Sequence, residues 1–106
     1  MITNSKISNT TTTQVFLASG QQAITTMIFC NVASTSTAYL DVFVVPHGQN
    51  PGGTDPNQIM SQVEIPAAET FVLDTERLIL EDLDAIYAQT SVANSIVCTV
   101  SSVSTA

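Results

Sequence analysis

The sequence predicts an all-β domain, built as a single antiparallel β-sandwich of the jelly-roll or immunoglobulin-like type. Short runs of β-branched and aromatic residues recur along the chain, and a pleated sheet favours this composition. Turn-forming residues separate these runs at short intervals, as in a sandwich of about seven or eight strands. The chain has 106 residues, which is enough for one hydrophobic core but not for two.

The elements follow one another in a simple order. Residues 1–14 are rich in Ser, Thr and Asn and show no core face, so they are interpreted as a polar N-terminal arm. Such an arm is either a loose terminus or a segment that becomes ordered against a neighbour. The sandwich domain is expected over residues 15–106. Its predicted strands cover residues 15–18, 23–32, 38–45, 59–65, 71–73, 86–90 and 96–103.

Two segments between the strands need separate interpretation. Residues 46–56 contain three Pro and three Gly, which excludes a central strand or a helix and predicts an exposed loop. Residues 75–84 are ambiguous, because the apolar run 78–80 fits either a short strand or one face of a helix. We favour strand, turn and strand, since the surrounding segments are all β.

Composition excludes several classes of function. The net charge is −7, with two positive residues, so the chain should repel nucleic-acid phosphates and anionic lipid headgroups. The longest apolar runs are only a few residues, far short of the ~20 that span a bilayer. The first residues are polar and lack the apolar core of a signal peptide, which predicts folding in a cytoplasm. A weakly charged Ser/Thr surface suits a protein that packs against other copies of itself.

Candidate chemical motifs fail one by one, so no catalytic residue, metal or cofactor is predicted. The single histidine, His47, lies in the Pro/Gly loop, and the chain has no G-x-S-x-G element. The acidic cluster over 74–84 could offer oxygen ligands to calcium, but it lacks the spacing of an EF-hand loop and is better interpreted as a solvated edge. Cys30 and Cys98 are expected to be reduced and buried, with an immunoglobulin-type disulfide as the alternative.

Four segments carry a resemblance to known proteins. In residues 28–46 one strand ends in Asn31 and a Ser/Thr-rich turn, and the next strand ends in Val-Pro. Residues 65–71 read Ile-Pro-Ala-Ala-Glu-Thr-Phe, residues 80–88 read Leu-Glu-Asp-Leu-Asp-Ala-Ile-Tyr-Ala, and residues 100–103 read Val-Ser-Ser-Val. Together these segments resemble a family of small β-sandwich virion structural proteins of tailed bacteriophages. Ala68 and Leu83 depart from that family, which usually has Gly at these two positions.

The resemblance implies a non-enzymatic component of a phage virion, assembled in the host cytoplasm. The leading interpretation is a capsid decoration or cement subunit that packs on the particle through apolar faces and its N-terminal arm. The alternatives are a neck, tail or fibre-attachment protein, and a receptor- or glycan-binding module. The expected partners are other virion proteins, either the major capsid protein or neck and tail proteins, and further copies of this chain. Neither nucleic acid nor a membrane is an expected partner.

A candidate interface follows from pairing the strands 23–32 and 38–45 as a hairpin. Matching their aliphatic faces places Cys30 opposite Leu40 and Ile28 opposite Val42. The reverse face is then too apolar to remain in water, so a neighbouring chain or the N-terminal arm is expected to cover it. The predicted interface residues on that face are Met27, Phe29, Tyr39 and Phe43.

Overall fold

The computed structural model describes residues 2–7, 11–52, 56–73 and 78–104, which form nine β-strands and no helix. The strands are β1 (Ile2–Ile7), β2 (Thr13–Leu17), β3 (Gln22–Asn31), β4 (Ala38–Val45), β5 (Gln58–Ile65), β6 (Thr70–Leu73), β7 (Leu78–Leu80), β8 (Ala85–Thr90) and β9 (Ile96–Ser104). The all-β prediction is therefore confirmed. The ambiguous run 78–80 is a strand, as favoured.

The strands form two antiparallel sheets that pack face to face. Sheet A has the order β1-β9-β3-β6, and β7 pairs with a separate part of β3. Sheet B has the order β2-β8-β4-β5. In these sheets β1 pairs with β9, β2 with β8, β3 with β6 and β7, and β4 with β5. This is the pairing obtained when one long antiparallel hairpin folds into two packed sheets. With β6 and β7 counted as one interrupted strand, this is the eight-stranded jelly roll rather than the immunoglobulin arrangement.

The core lies between the inward faces of the two sheets. Side chains alternate between the faces of a strand, so every second residue of the central strands enters the core. Most of these residues are apolar and fully buried. The main members are Ile7, Phe16, Met27, Phe29, Leu40, Val42, Ile65, Ile86, Ile96, Cys98 and Val100.

The predicted N-terminal arm over residues 1–14 is not confirmed. Residues 2–7 form β1, which pairs with β9 in a continuous register from Ile2↔Ser101 to Ile7↔Ile96. Ile7 is fully buried in the core. The polar composition was misleading because an edge strand obtains its order from backbone pairing and here needs only one core side chain. Residues 1 and 8–10 lie outside the described part of the chain.

The predicted hairpin of β3 and β4 is wrong. These strands belong to different sheets: β3 pairs with β9, β6 and β7, whereas β4 pairs with β5 and β8. Cys30 therefore faces Val97, not Leu40, in the register. The Ser/Thr-rich turn after Asn31 carries the chain across the sandwich instead of reversing it within one sheet.

Asn31 fixes this crossing. Its side-chain amide donates to the carbonyls of Ser36 and Ile65, both at 2.9 Å, and its Oδ1 accepts the Ala33 N–H at 3.0 Å. Asn31 is fully buried, so each of these bonds satisfies a group that water cannot reach. One side chain thus ties the end of β3 to its turn and to β5 of the opposite sheet.

Ala68 and Leu83 are among the turn residues other than glycine that use the left-handed backbone conformation. Ala68 has φ 63° and Leu83 has φ 70°. Each turn is closed by a backbone bond, from Glu69 N to the Pro66 carbonyl and from Asp84 N to the Glu81 carbonyl, both 3.1 Å long. Glycine is the residue that most easily adopts a positive φ at the third position of such a turn.

Candidate functional site

The four predicted interface residues do not share one face. Met27 and Phe29 are buried in the core by the chain itself, because β3 belongs to the other sheet from β4. Phe43 is buried outside the main core, where Gly52 of the 46–56 loop lies against its ring. Tyr39 is exposed and donates from its hydroxyl to Glu64 Oε2 at 3.3 Å. Met27, Phe29 and Phe43 are thus buried within the chain itself, and the shared apolar face that a neighbouring chain or the N-terminal arm was expected to cover is not formed.

The 46–56 loop is exposed, as predicted, at residues 46–50 and 56, whereas Pro51 and Gly52 are half-buried. The buried Asn57 organises it: its Oδ1 accepts the Gly52 N–H at 2.8 Å, and its amide donates to the Asn50 carbonyl at 2.8 Å. A Cβ at Gly52 would lie 3.1 Å from Cε2 of Phe43. The loop therefore folds back to cover Phe43, while His47 at its start stays exposed.

The outward side of sheet A, in contrast, is an open surface with many apolar side chains. The register places Ile28 between Val72 on β6 and Thr99 on β9, and places Cys30 beside Val97. Further along β3, Ala23 lies between Ile79 and Val103. Val72, Ile79 and Val103 are 47, 56 and 52% exposed. We define the outer face of sheet A by the residues Ile28, Cys30, Val72, Ile79, Val97, Thr99 and Val103.

Charge is distributed unevenly between the two sheets. The described strands of sheet A contain no Asp or Glu, and their one charged residue is Lys6 on β1. Sheet B carries Asp41 on β4 and Glu64 on β5. The other described carboxylates belong to turns, at Glu69, Glu81, Asp82 and Asp84. In a chain of net charge −7, the described strands of sheet A thus contribute no carboxylate to its outer face.

The acidic cluster holds loops together in the part that the structure describes. Asp82 Oδ1 accepts the Gly20 N–H at 2.8 Å. Asp84 accepts the His47 N–H with Oδ1 and the Glu81 N–H with Oδ2, both at 2.9 Å. The other two members of the predicted cluster, Asp74 and Glu76, lie outside the described residues. Among the described residues, no group of three His, Cys, Asp or Glu side chains could hold a metal ion.

The two cysteines are free thiols, as predicted, but the predicted burial is confirmed only for Cys98, since Cys30 is half-buried. Cys98 belongs to the core, whereas Cys30 lies on the outer face of sheet A, so the two side chains point to opposite sides of one sheet. Burial raises the pKa of Cys98 from 9.0 to about 12, because the thiolate would lose its hydration. Cys98 is therefore a packing residue rather than a nucleophile at neutral pH.

Sequence reasoning missed the outer face of sheet A because it assigned the wrong partner to β3. A signal was present in the last strand, where Val97 and Val103 alternate with the core residues Cys98, Val100 and their neighbours.

None of the described segments is a helix that could cross a membrane. No protein-family model matches the chain, and a search of the curated proteins finds no match.

Proposed function

We propose that this chain is a non-enzymatic structural subunit of a tailed-phage virion, specifically a capsid decoration or cement protein. The observation that carries the proposal is the outer face of sheet A, which exposes apolar side chains on a sheet whose described strands contain no carboxylate. The jelly roll supports it by analogy, since viral capsid domains and lectins both use this architecture. The segments that resemble phage virion proteins support the first of these two uses.

Attachment through this face depends on apolar burial. Burying apolar surface contributes about 25 cal/mol per Å2 before the costs of ordering, whereas an exposed ion pair contributes only ~0–1 kcal/mol. The described strands of sheet A have no carboxylate to lose, and their one charged residue is Lys6 at the border of this face. The partner surface is therefore an apolar patch of another virion protein, such as the major capsid protein. The chain acts within the virion, after assembly in the host cytoplasm.

Counting the protein in purified particles tests this function. Particles from the host that carries the gene are separated on a density gradient, and the chain is quantified against the major capsid protein by mass spectrometry. Hundreds of copies per particle would support decoration. A dozen or fewer would instead indicate a neck, tail or fibre-attachment protein. Absence from the particles would refute the virion proposal and leave glycan binding to be tested on an array.

A matched pair of variants tests the attachment face. Val72→Asp places a carboxylate on the outer face of sheet A, whereas Leu17→Asp adds the same charge at a residue of sheet B with 48% exposure. Burial of an unpaired carboxylate is strongly unfavourable, so Val72→Asp should lower occupancy at least about tenfold. Leu17→Asp should bind like the unchanged chain. Equal loss from both variants would show that the outer face of sheet A is not the attachment site.

Salt provides an independent test of the same face. At ~0.5 M salt the screening length falls to a few ångströms, which weakens exposed charge pairs but not apolar contacts. The protein should therefore stay on the particle through a wash at this concentration. Release by the wash would indicate that the acidic turns, and not the outer face of sheet A, make the attachment.

A further inference from the structure

The sandwich has four edges, and three of them are irregular or short. On sheet B, β2 has a register shift between Gln14 and Phe16, and β5 has two shifts and a positive φ of 55° at Gln62. On sheet A, one edge is divided between β6 and β7, which have four and three residues. Bulges and short strands are the features by which proteins prevent pairing between edges. The remaining edge, β1, is six residues long and keeps a continuous register.

Hydrogen bonds near the start of β9 show which backbone groups of β1 point away from the sheet. The Ser95 carbonyl accepts the Val32 N–H at 2.7 Å, so it points toward β3. Backbone groups alternate sides along a strand, and those of Ile96 therefore point the opposite way, toward β1. Ile96 faces Ile7 in the register, and the Ile7 carbonyl accepts the Asn94 N–H at 3.0 Å. Hence Ile7 directs its backbone groups toward β9.

The same alternation gives the direction of the backbone groups at the other residues of β1. Thr3 and Ser5 direct their N–H and carbonyl groups toward β9, as Ile7 does. Ile2, Asn4 and Lys6 direct theirs away from the sheet, at the open edge. Within the described residues β9 is the one strand paired with β1. The edge therefore presents three donors and three acceptors in the spacing of a β-ladder.

We infer that two copies of this chain pair antiparallel through β1, about a two-fold axis at Asn4. In this register Asn4 faces Asn4 of the second copy, and Ile2 faces Lys6. Residues that face each other in an antiparallel pair share one side of the sheet, and all three of these side chains lie on the outward side. Six backbone hydrogen bonds form, and the two sheets A become one continuous sheet.

Charge favours a second copy as the occupant of this edge. The chain is strongly acidic, so two copies repel each other except where carboxylates are absent, and sheet A has none in its described strands. A register centred on Lys6 would place two ammonium groups side by side, which is unfavourable. The register centred on Asn4 keeps them apart. This inference concerns the isolated chain and does not depend on the virion proposal.

The oligomeric state of the purified chain tests the pairing. Sedimentation equilibrium between about 10 μM and about 1 mM should give a reversible species of twice the 11.2 kDa chain mass. Asn4→Pro removes an outward N–H, and proline is tolerated at a strand edge where the N–H does not pair with the sheet. It should raise the dissociation constant of the dimer about 10- to 100-fold, since two central hydrogen bonds are lost.

Asn4→Thr is the matched control. Both variants lose the 2.8 Å bond in which Thr99 Oγ1 donates to Asn4 Oδ1, but the threonine keeps its backbone N–H. Asn4→Thr should therefore remain dimeric. A chain that is monomeric at every concentration would overturn the inference. So would a dimer that survives Asn4→Pro, which would instead indicate packing through the outer face of sheet A.

A disulfide test does not depend on how well the proline variant folds. Opposed residues in a hydrogen-bonded antiparallel pair have Cα atoms about 5.5 Å apart, within the ~4.4–6.8 Å range of a disulfide. In a Cys30→Ala background, Asn4→Cys should cross-link two chains on mild oxidation. Lys6→Cys should not, because its copy lies four residues away along the strand, about 14 Å at ~3.4 Å per residue. Equal cross-linking at both positions, or none at residue 4, would refute this register.

Discussion

The strongest test of the fold is a matched pair of substitutions at the two ends of β1. Ile7→Ala removes three carbon atoms from a residue with 0% exposure. At about 0.8 kcal/mol per buried carbon the transfer cost is roughly 2.4 kcal/mol, and the cavity adds to it. We expect the free energy of unfolding to fall by about 3 kcal/mol. Ile2→Ala makes the same chemical change on the same strand at 69% exposure, and should cost under about 0.5 kcal/mol.

Urea unfolding followed by circular dichroism measures both variants against the unchanged chain. A loss of about 3 kcal/mol corresponds to a fall in Tm of roughly 12 °C or more for a domain of this size. The difference between the variants separates a strand that is part of the sandwich from an arm that only folds against a neighbour. If Ile7→Ala costs no more than Ile2→Ala, β1 does not contribute to the core in solution, and the inferred pairing through its edge loses its basis.

Three further substitutions test other features of the fold. Ala68→Gly should raise the free energy of unfolding by about 0.5–1 kcal/mol, because relief of the left-handed strain exceeds the entropy that glycine adds to the unfolded chain. Ala67 does not have a positive φ, so Ala67→Gly should lower the free energy of unfolding by a similar amount. Equal shifts of the two variants in thermal unfolding would contradict this explanation. Asn31→Ala should cost about 3 kcal/mol in urea unfolding because buried groups lose their partners, while Ser34→Ala in the same turn should cost little. Cys98 keeps its proton in the folded chain up to about pH 12 and loses it near pH 9 when unfolded. The stabilisation of the folded chain that this difference provides is therefore fully present below pH 9 and declines above it. The decline should approach 1.4 kcal/mol per pH unit, and urea titrations from pH 7 to 10.5 should show a correspondingly shallower decline in Cys98→Ala.

Local patterns predicted the strands well but not their pairing. The strand 38–45 was predicted with the bounds that the structure gives, and the other six predicted strands differ by one or two residues at one or both ends. Composition fixes a strand locally, because β-branched residues suit an extended backbone wherever the strand is placed. The partner of a strand depends instead on whether the intervening turn reverses the chain or crosses the sandwich. Here that depends on the three hydrogen bonds of Asn31, which no local pattern reveals.

The error over pairing moved the predicted interface to the wrong residues. Both faces of β3 are partly apolar, and the hairpin assumption assigned Met27 and Phe29 to the outside. The structure places them in the core and leaves Ile28 and Cys30 on the outer face of sheet A. The turns were more informative. The absence of glycine at 68 and 83 was visible in the sequence, and both positions have positive φ.

The two proposed interaction surfaces use different groups and therefore do not compete. Pairing through β1 uses backbone groups that lie in the plane of the sheet, whereas the outer face of sheet A uses side chains perpendicular to it. A dimer formed through β1 would keep both outer faces exposed on the same side of one wide sheet, ready to contact a flat partner surface together. Two linked attachment faces bind more tightly than one, since the second contact becomes intramolecular. Asn4→Pro should therefore weaken attachment to the particle as well as the dimer, whereas Val72→Asp should weaken attachment alone. If Val72→Asp also dissociates the isolated dimer, the two surfaces are one interface and the separation argued from their geometry is wrong.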